Sequence, residues 1–332
     1  MTGAVSVVDT RLTFSDRLRA WKVRWGIGRM RYRVEPGLYA VGAPDTHSPV
    51  LVTASYKLSF DTLRSQLGGR STWILVLETG GVNVWCAAGK GTFGTGELAA
   101  RINAVRLSEV ISHRTLVLPQ LGASGVSAHE VKRLSGFRVV YGPVRANDIP
   151  AFLDAGMKAT AEMRRVRFTF RDRAVLIPIE LVQSLKYAAG VALMFFLFSG
   201  LSRSGFSIDR AVSDGIYAAI VIFSAVMGGT VFIPLLLPWI PGRAFSLKGF
   251  WVGFILAALF SLGFSGPGQG FLTAASWFLI VPAIASFLAM NFTGATTFTS
   301  LSGVKKEVRS ALPLQAAAAS LGIVIWIVGR FF

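Results

Sequence analysis

Cysteine is almost missing from this sequence. Its 332 residues include one, Cys86. A single thiol forms no internal disulfide, no four-cysteine zinc site and no thiolate-ligated iron–sulfur cluster. Histidine is scarce as well: His47, His113 and His129 are scattered and make no zinc signature, nor does any spacing argue for a Ser-His-Asp arrangement. Charged residues reach only 15%, against about 25% in an ordinary soluble domain, while 52% of residues are hydrophobic. That combination excludes a disordered chain and a simple soluble globule. Acidic residues are the scarcest charges, with 17 Asp and Glu facing 34 Lys and Arg, a net charge of +17.

What is present is unevenly spread. Residues 1–180 carry 25 Lys and Arg with 14 Asp and Glu, whereas residues 181–332 carry 9 and 3. The first part reads as water-soluble and the second as membrane. Runs near 183–201, 216–240, 249–265, 271–290 and 313–331 are each long enough for a bilayer crossing of about 20 apolar residues. Pro234 and Pro238 are expected to kink the second, and Gly266-Pro267-Gly268 to make a tight turn after the third. The divisions expected are a basic N-terminal segment at 1–48, a soluble domain at 49–175 and a transmembrane domain at 176–332.

Loop charge predicts orientation. Arg203 and Arg210 cancel Asp209 and Asp214 in the first loop, Arg243 and Lys248 make the second positive, 265–270 is neutral, and Lys305, Lys306 and Arg309 outweigh Glu307 in the fourth. This places the N-terminal domain in the cytoplasm and the C-terminus outside the inner membrane. The first ten residues lack a basic region followed by an apolar core, so no signal peptide is expected. The span cores lack acidic residues and histidine, which suits an anchor better than a transport path. Residues 11–33 hold eight Arg and Lys, and 158–173 hold six more. Contact with anionic lipid or an acidic partner and simple positive-inside topology both explain them. No nucleic-acid module is visible, and no nucleic-acid partner is expected.

From residue 50 the pattern alternates. Short apolar runs at 50–54, 73–77, 115–118 and 137–141 predict strands, with a fifth at 167–170. Helical spacing at 60–67, 97–107, 127–134 and 147–155 separates them, and Ser127 with Glu130 reads as a capping box. Strands alternating with helices predict an α/β domain with a parallel sheet covered on both faces. A ligand in such a fold sits beyond the carboxyl ends of the strands. Those ends are 55–56, 79–81, 120–125 and 142–145, rich in glycine and small polar residues.

Residues 80–96 read GGVNVWCAAGKGTFGTG, six glycines in seventeen, with Cys86 among them. A Walker A loop fails, because Val84 and Gly91 stand where glycine and Ser or Thr are needed. A dinucleotide fingerprint fits Gly89, Gly91 and Gly94, with Glu109 twenty residues on, but about ten residues intervene after the preceding strand. A buried structural thiol is a further alternative. Against it, Asn83 is a good N-cap, so Val84-Trp85-Cys86-Ala87-Ala88 is expected to form a short helix stopped by Gly89. Cys86 then lies in the first turn, where amide dipoles and nearby Lys90 favour an anionic sulfur able to face a metal.

The string NVWCAAGK at 83–90 resembles the cap-helix motif of the corrinoid protein of mercury methylation, the HgcA family. PVLVTASYKLSFD at 49–61, GKGTFGT at 89–95, HRTLVLPQLGASGVSAH at 113–129 and GFRVVYGPVRANDIP at 136–150 resemble it too, as does a soluble domain followed by five spans. That family is related to the corrinoid subunits of the acetyl-CoA pathway. The resemblance implies a Rossmann-like corrinoid-binding domain ahead of an all-α transmembrane domain of five helices.

It also implies a corrinoid-dependent methyltransferase. Cys86 would be the catalytic residue and axial ligand to cobalt of a cobalamin-type corrinoid bound base-off. A thiolate donor stabilises Co(III) and eases departure of the methyl group with its bonding electrons, which the soft electrophile Hg(II) accepts to give methylmercury. Return to Co(I) needs electrons from a partner, in the family the ferredoxin-like protein HgcB with two 4Fe–4S clusters. The methyl donor is expected to be a folate or pterin delivered by another protein. A membrane-anchored corrinoid methyl carrier with another acceptor, and a nucleotide-binding membrane sensor, stay open.

Around the sulfur, Asn83, Val84, Trp85, Ala87, Ala88, Gly89 and Lys90 are candidate cofactor contacts by motif. Thr53, Thr79, Thr92, Thr95, Gly122, Gly125 and Gly142 are candidates by position alone. Trp85 suits a packing anchor as well, and Arg145 is a candidate for a nucleotide-tail phosphate or a solvated surface cation. Asp45-Thr46-His47 begins like the Asp-x-His-x-x-Gly of histidine-ligated cobalamin modules but reaches Val50, so His47 is expected to be a loop residue.

Overall fold

Six strands run through the first of two units into which the chain divides, Met1–Val166 and Arg167–Phe332. The structure, a computed structural model, describes residues 5–263, 270–292 and 301–331. The turn expected at 266–268 lies outside these. In the first unit β1 (Ser6–Val8), α1 (Phe14–Arg24) and β2 (Gly37–Val41) precede β3 (Val50–Ala54), α2 (Lys57–Arg64), β4 (Thr72–Leu77), α3 (Val84–Lys90), α4 (Thr95–Ala104) and α5 (Leu107–Val110). Then come β5 (Thr115–Leu118), α6 (Ala128–Ser135), β6 (Arg138–Tyr141) and α7 (Ile149–Asp154).

The sheet order is β1-β2-β4-β3-β5-β6, and it is mixed. β4, β3, β5 and β6 are parallel neighbours, while β2 lies antiparallel to β4 and parallel to β1. The segment 1–48 thus supplies two strands of this sheet. The expected strand at 167–170 is not formed. Thr169 instead caps α8 (Phe170–Ala174), its Oγ1 donating to the Asp172 carboxylate at 2.8 Å.

Alternation along the strands builds two apolar layers. Val50, Val52, Ala54, Leu75, Leu77, Leu116 and Leu118 pack on α3, α4 and α6 through Ala87, Leu98 and Val131. Leu51, Ile74, Val76 and Val117 face the other way, onto Phe60 and Leu63 of α2 and Phe152 of α7. Helices on both faces are therefore present as expected. The capping box at Ser127 is not: Ser127 Oγ lies 3.0 Å from His129 Nδ1, and Glu130 pairs with Arg133 at 2.6 Å.

The second unit holds α9 (Ile177–Ser199), a two-strand hairpin of β7 (Leu201–Ser202) and β8 (Gly205–Phe206), α10 (Ile208–Met227), α11 (Ile233–Leu236), α12 (Phe245–Gly263), α13 (Phe271–Met290) and α14 (Leu301–Val328). Five helical stretches among the described residues are long and apolar enough to cross a membrane. One π-helical turn, Gly228–Phe232, joins α10 to α11. Its wider ring leaves room for Pro234, whose missing N–H and bulky ring would otherwise break the α-helical ladder at Thr230. Contact between α12 and α13 depends on small residues. A Cβ at Gly249 would lie 2.4 Å from Ser286 Cα, and one at Gly253 2.5 Å from Pro282 Cα. With Ala257 fully buried below them, they form the small-residue stripe that lets membrane helices approach closely.

Candidate functional site

The order β4-β3-β5 places a topological switch point between β3 and β5, because the chain leaves β3 toward β4 and returns on the other side. Open α/β sheets bind ligands in the crevice there. Register pairs Val50 with Leu116 and Leu51 with Val117. Beyond them a cavity of about 370 Å³ opens between the strands' carboxyl ends, within the usual range for small-molecule sites. Leu51, Val52 and Thr53 of β3 and Val117 of β5 form its floor, and Tyr56, Pro119, Leu121 and Pro143 stand at the strand ends around it.

The approach to α3 is set by a tight turn. Val82 N–H donates to the Thr79 carbonyl at 3.2 Å, and Gly80 and Gly81 both take positive φ, 66° and 72°. Two successive left-handed residues make this a mirror-image turn that glycine favours. Ser55 Oγ, fully buried at the end of β3, accepts from the Thr79 and Gly81 amides at 3.1 and 3.2 Å and pins the turn to the sheet. Thr79 Oγ1 donates to the Val82 carbonyl at 2.7 Å.

Asn83 then starts α3 as expected. Its Oδ1 accepts the Cys86 amide at 2.9 Å. The helix runs two residues further than the sequence suggests: it passes through Gly89 and Lys90 and is stopped at Gly91, whose φ is 80°. The Gly89, Gly91, Gly94 series therefore does not form the strand-to-helix turn of a dinucleotide fingerprint. Val84, Ala87 and Ala88 face the core, while Trp85 and Cys86 are exposed. Cys86 is thus not a buried structural thiol.

The structure brings some candidates to the cavity and not others. Thr53, Asn83, Val84 and Trp85 line it, and so does Arg145. Cys86, Gly89 and Lys90 lie on the exposed side of the adjoining helix. Thr92 Oγ1 reaches the Ala87 carbonyl at 3.4 Å, and Thr95 Oγ1 accepts the Ser127 amide at 2.9 Å. Three glycines serve close packing. A Cβ at Gly125 would meet Phe93 O at 2.3 Å and Ala88 Cα at 2.9 Å, one at Gly122 would meet the Phe93 ring at 2.6 Å, and one at Gly142 would touch Val117 Cγ1 at 3.0 Å. The loop after β5 thus buttresses α3 from beneath.

Histidines take structural places. His113 Nδ1 accepts the Thr115 amide at 3.2 Å, which leaves Nε2 to donate to the Ser48 carbonyl at 3.0 Å. His47 Nδ1 lies 3.0 Å from Ser112 Oγ, in a turn where the Asp45 carboxylate accepts the His47 amide at 2.9 Å. Among the described residues no three His, Cys, Asp or Glu side chains are grouped to hold a metal ion.

Strand-end reasoning does not reach Arg24, which enters the cavity from α1. That helix is fixed by four charges. Asp16 accepts from Arg64 Nη2 at 3.0 Å and Lys57 Nζ at 3.3 Å, and both cations also pair with Asp61 at 2.7 Å. Burial opposes ionisation of Asp16, but the hydrogen bonds from Thr13 and the Lys57 charge outweigh it and hold the carboxyl well below the usual carboxylate range. Tyr56 is pushed the other way: burial raises its phenol above the ordinary value, against the opposing charges of Arg29 and Arg24.

Fold and site together define an α/β domain with a switch-point cavity and an exposed cysteine, in a chain with five long apolar helices among its described residues. Residues 28–153 match the family model described as CO dehydrogenase/acetyl-CoA synthase delta subunit. The chain is similar to the acetyl-CoA decarbonylase/synthase complex subunit gamma of Methanopyrus kandleri, 35% identical over 124 residues, which are 36% of this chain and 26% of the relative. The corresponding gamma subunit of Archaeoglobus fulgidus is 34% identical over 128 residues, 38% of this chain and 27% of that protein. The corrinoid/iron-sulfur protein large subunit of Moorella thermoacetica is 29% identical over 127 residues, 38% of this chain and 28% of that one. This chain therefore spans about a quarter of the length of the curated relatives it matches.

Proposed function

We propose that the N-terminal unit binds a cobalamin-type corrinoid base-off, with Cys86 as axial ligand to cobalt, and that the protein is a methyltransferase acting on Hg(II). The observation that carries this reading is the exposed Cys86 on a capped helix beside the switch-point cavity, inside the 28–153 family match of a chain that is also similar to a named corrinoid protein. The residues fit such a cofactor. One protein sulfur suits a metal whose equatorial ligands come with a macrocycle, and the cavity beside it offers apolar walls, hydroxyls and cations to an amphipathic ligand. When bound, the corrinoid supplies a transferable methyl group and a redox-active cobalt.

The chain's own residues do the rest. Asn83 fixes the first turn of α3 and so the place of the sulfur. Cys86 would hold the cofactor through its sulfur, a donor that would favour transfer of the cofactor's methyl group to the substrate Hg(II), giving methylmercury. Electrons come from a separate ferredoxin-like protein with two 4Fe–4S clusters, of the HgcB kind, because one cysteine provides no cluster ligands here. The methyl group comes from a folate or pterin donor. The five apolar helices anchor the unit at the cytoplasmic face of the inner membrane, with the C-terminus outside. A methyl carrier with another acceptor is a second reading, favoured by relatives named for acetyl-CoA synthesis.

The test uses full-length protein purified in detergent, loaded with methylcobalamin and given isotopically labelled Hg(II) as its thiol complex. Labelled methylmercury from the parent protein and none above background from Cys86→Ala supports the reading. Transfer to a carbonyl-branch acceptor but not to mercury supports the carrier. Failure to retain any corrinoid overturns both.

A further inference from the structure

The switch-point cavity holds two guanidinium groups, Arg24 and Arg145, and no carboxylate among its lining residues. The two come from opposite ends of the unit. Arg145 follows β6, and Arg24 ends α1, a helix that precedes the residues matched by the family model. Neither guanidinium makes an ion pair or hydrogen bond to a described residue. Both are only partly exposed.

Two cations without ion-pair partners line one cavity that holds no carboxylate, an arrangement that an anion bound between them would complement. Their positions are also held firmly. Asp16 ties α1 to Arg64 and Lys57 of α2, Arg64 Nη1 donates to the Arg11 carbonyl at 3.3 Å, and Val23, beside Arg24, is 2% exposed against Tyr32 and Tyr56. Arg24 is therefore carried on a fixed element. Thr53, Tyr56 and Ser59 place hydroxyl groups along the same cavity, and Leu51, Leu63, Val117 and Ile149 give it an apolar wall. The chemistry suited to it is a phosphate ester on an apolar body, because guanidinium pairs bind phosphate oxygens with directed, charge-assisted hydrogen bonds.

We propose that Arg24 and Arg145 form an anion clamp for the phosphodiester of the corrinoid's nucleotide tail, so that the protein selects corrinoids that carry the tail over those that lack it. The proposal rests on the corrinoid reading above for the identity of the ligand. It assigns α1, which adds nothing to the sheet, a part in ligand selection.

The test measures equilibrium binding of hydroxocobalamin and of cobinamide, which has the corrin ring without the nucleotide tail, by the visible spectra of full-length protein in detergent. The parent protein should bind hydroxocobalamin at least about tenfold more tightly than cobinamide. Arg24→Gln and Arg145→Gln should each weaken hydroxocobalamin binding by about tenfold and leave cobinamide affinity unchanged, which also shows that the variants fold. Equal affinity of the parent for both corrinoids overturns the clamp and leaves the corrinoid reading standing. Variants that weaken both ligands alike overturn it too, since they show a structural role. Failure of the parent to bind either corrinoid removes the corrinoid reading and the clamp with it.

Discussion

Asn83 Oδ1 accepts the backbone amide of Cys86 at 2.9 Å, so the residue that begins the helix also sets the position of its only thiol. An amide at the third helical position has no partner within the helix, and a side-chain cap supplies one. In a seven-residue helix this bond is a large share of local stability.

Asn83→Ala should therefore cost about 1 kcal/mol of stability and weaken corrinoid binding. Asn83→Asp, which retains an accepting oxygen, should stay close to the parent in both. Chemical unfolding and corrinoid titration of the two variants check this, and an Asn83→Ala protein indistinguishable from the parent would contradict it.

Gly125 has no room for a side chain. A methyl group there would press on Phe93 O and the Ala88 backbone. Gly125→Ala should destabilise the N-terminal unit by about 1–3 kcal/mol, in the range of overpacked cores. Gly89→Ala, where nothing lies within 4 Å of the added Cβ, should be neutral or slightly stabilising. Thermal melts of both variants decide the comparison.

Much of this was legible beforehand, and the limits have physical causes. β3 to β6 are apolar runs closed by turn residues, so periodicity finds them, and α3 announces itself by its cap. Five long apolar runs need only length to be recognised. β1 and β2 are three and five residues inside a basic segment, and the pairings of β1 with β2 and of β2 with β4 are long-range events that no local pattern records. Ser127 and Glu130 have the spacing of a capping box, but Arg133 competes for the carboxylate and wins. Gly122 and Gly125 look like openings for a ligand, whereas they make room for Phe93 and Ala88. Arg24 reaches the cavity through ion pairs spanning 48 residues of sequence, between Asp16 and Arg64.

That network has a pH signature. Asp16 is held below its ordinary range in the folded protein, so its contribution is complete above about pH 4 and is lost as pH falls toward the lower folded value. The stability difference between the parent and Asp16→Asn should be constant from pH 7 to about pH 5 and shrink below about pH 4. Thermal melts across that range check it, and a difference that grows on acidification would contradict it.

In the membrane unit, Gly253→Leu should force α12 away from Pro282 of α13. The variant should melt at a lower temperature in detergent by an amount worth about 1–3 kcal/mol, as overpacked interiors do. Leu259→Ala, on a side chain that is 62% exposed, should leave the melting temperature unchanged. Equal melting of Gly253→Leu and the parent would remove the close-packed stripe as a stabilising feature.

The central claim concerns one sulfur atom. X-ray absorption at the cobalt edge, on corrinoid-loaded full-length protein and on its Cys86→Ala variant, tests it most directly. A sulfur neighbour at cobalt in the parent that disappears in the variant is the expected result. A nitrogen- and oxygen-only shell, identical in the two proteins, would contradict the account.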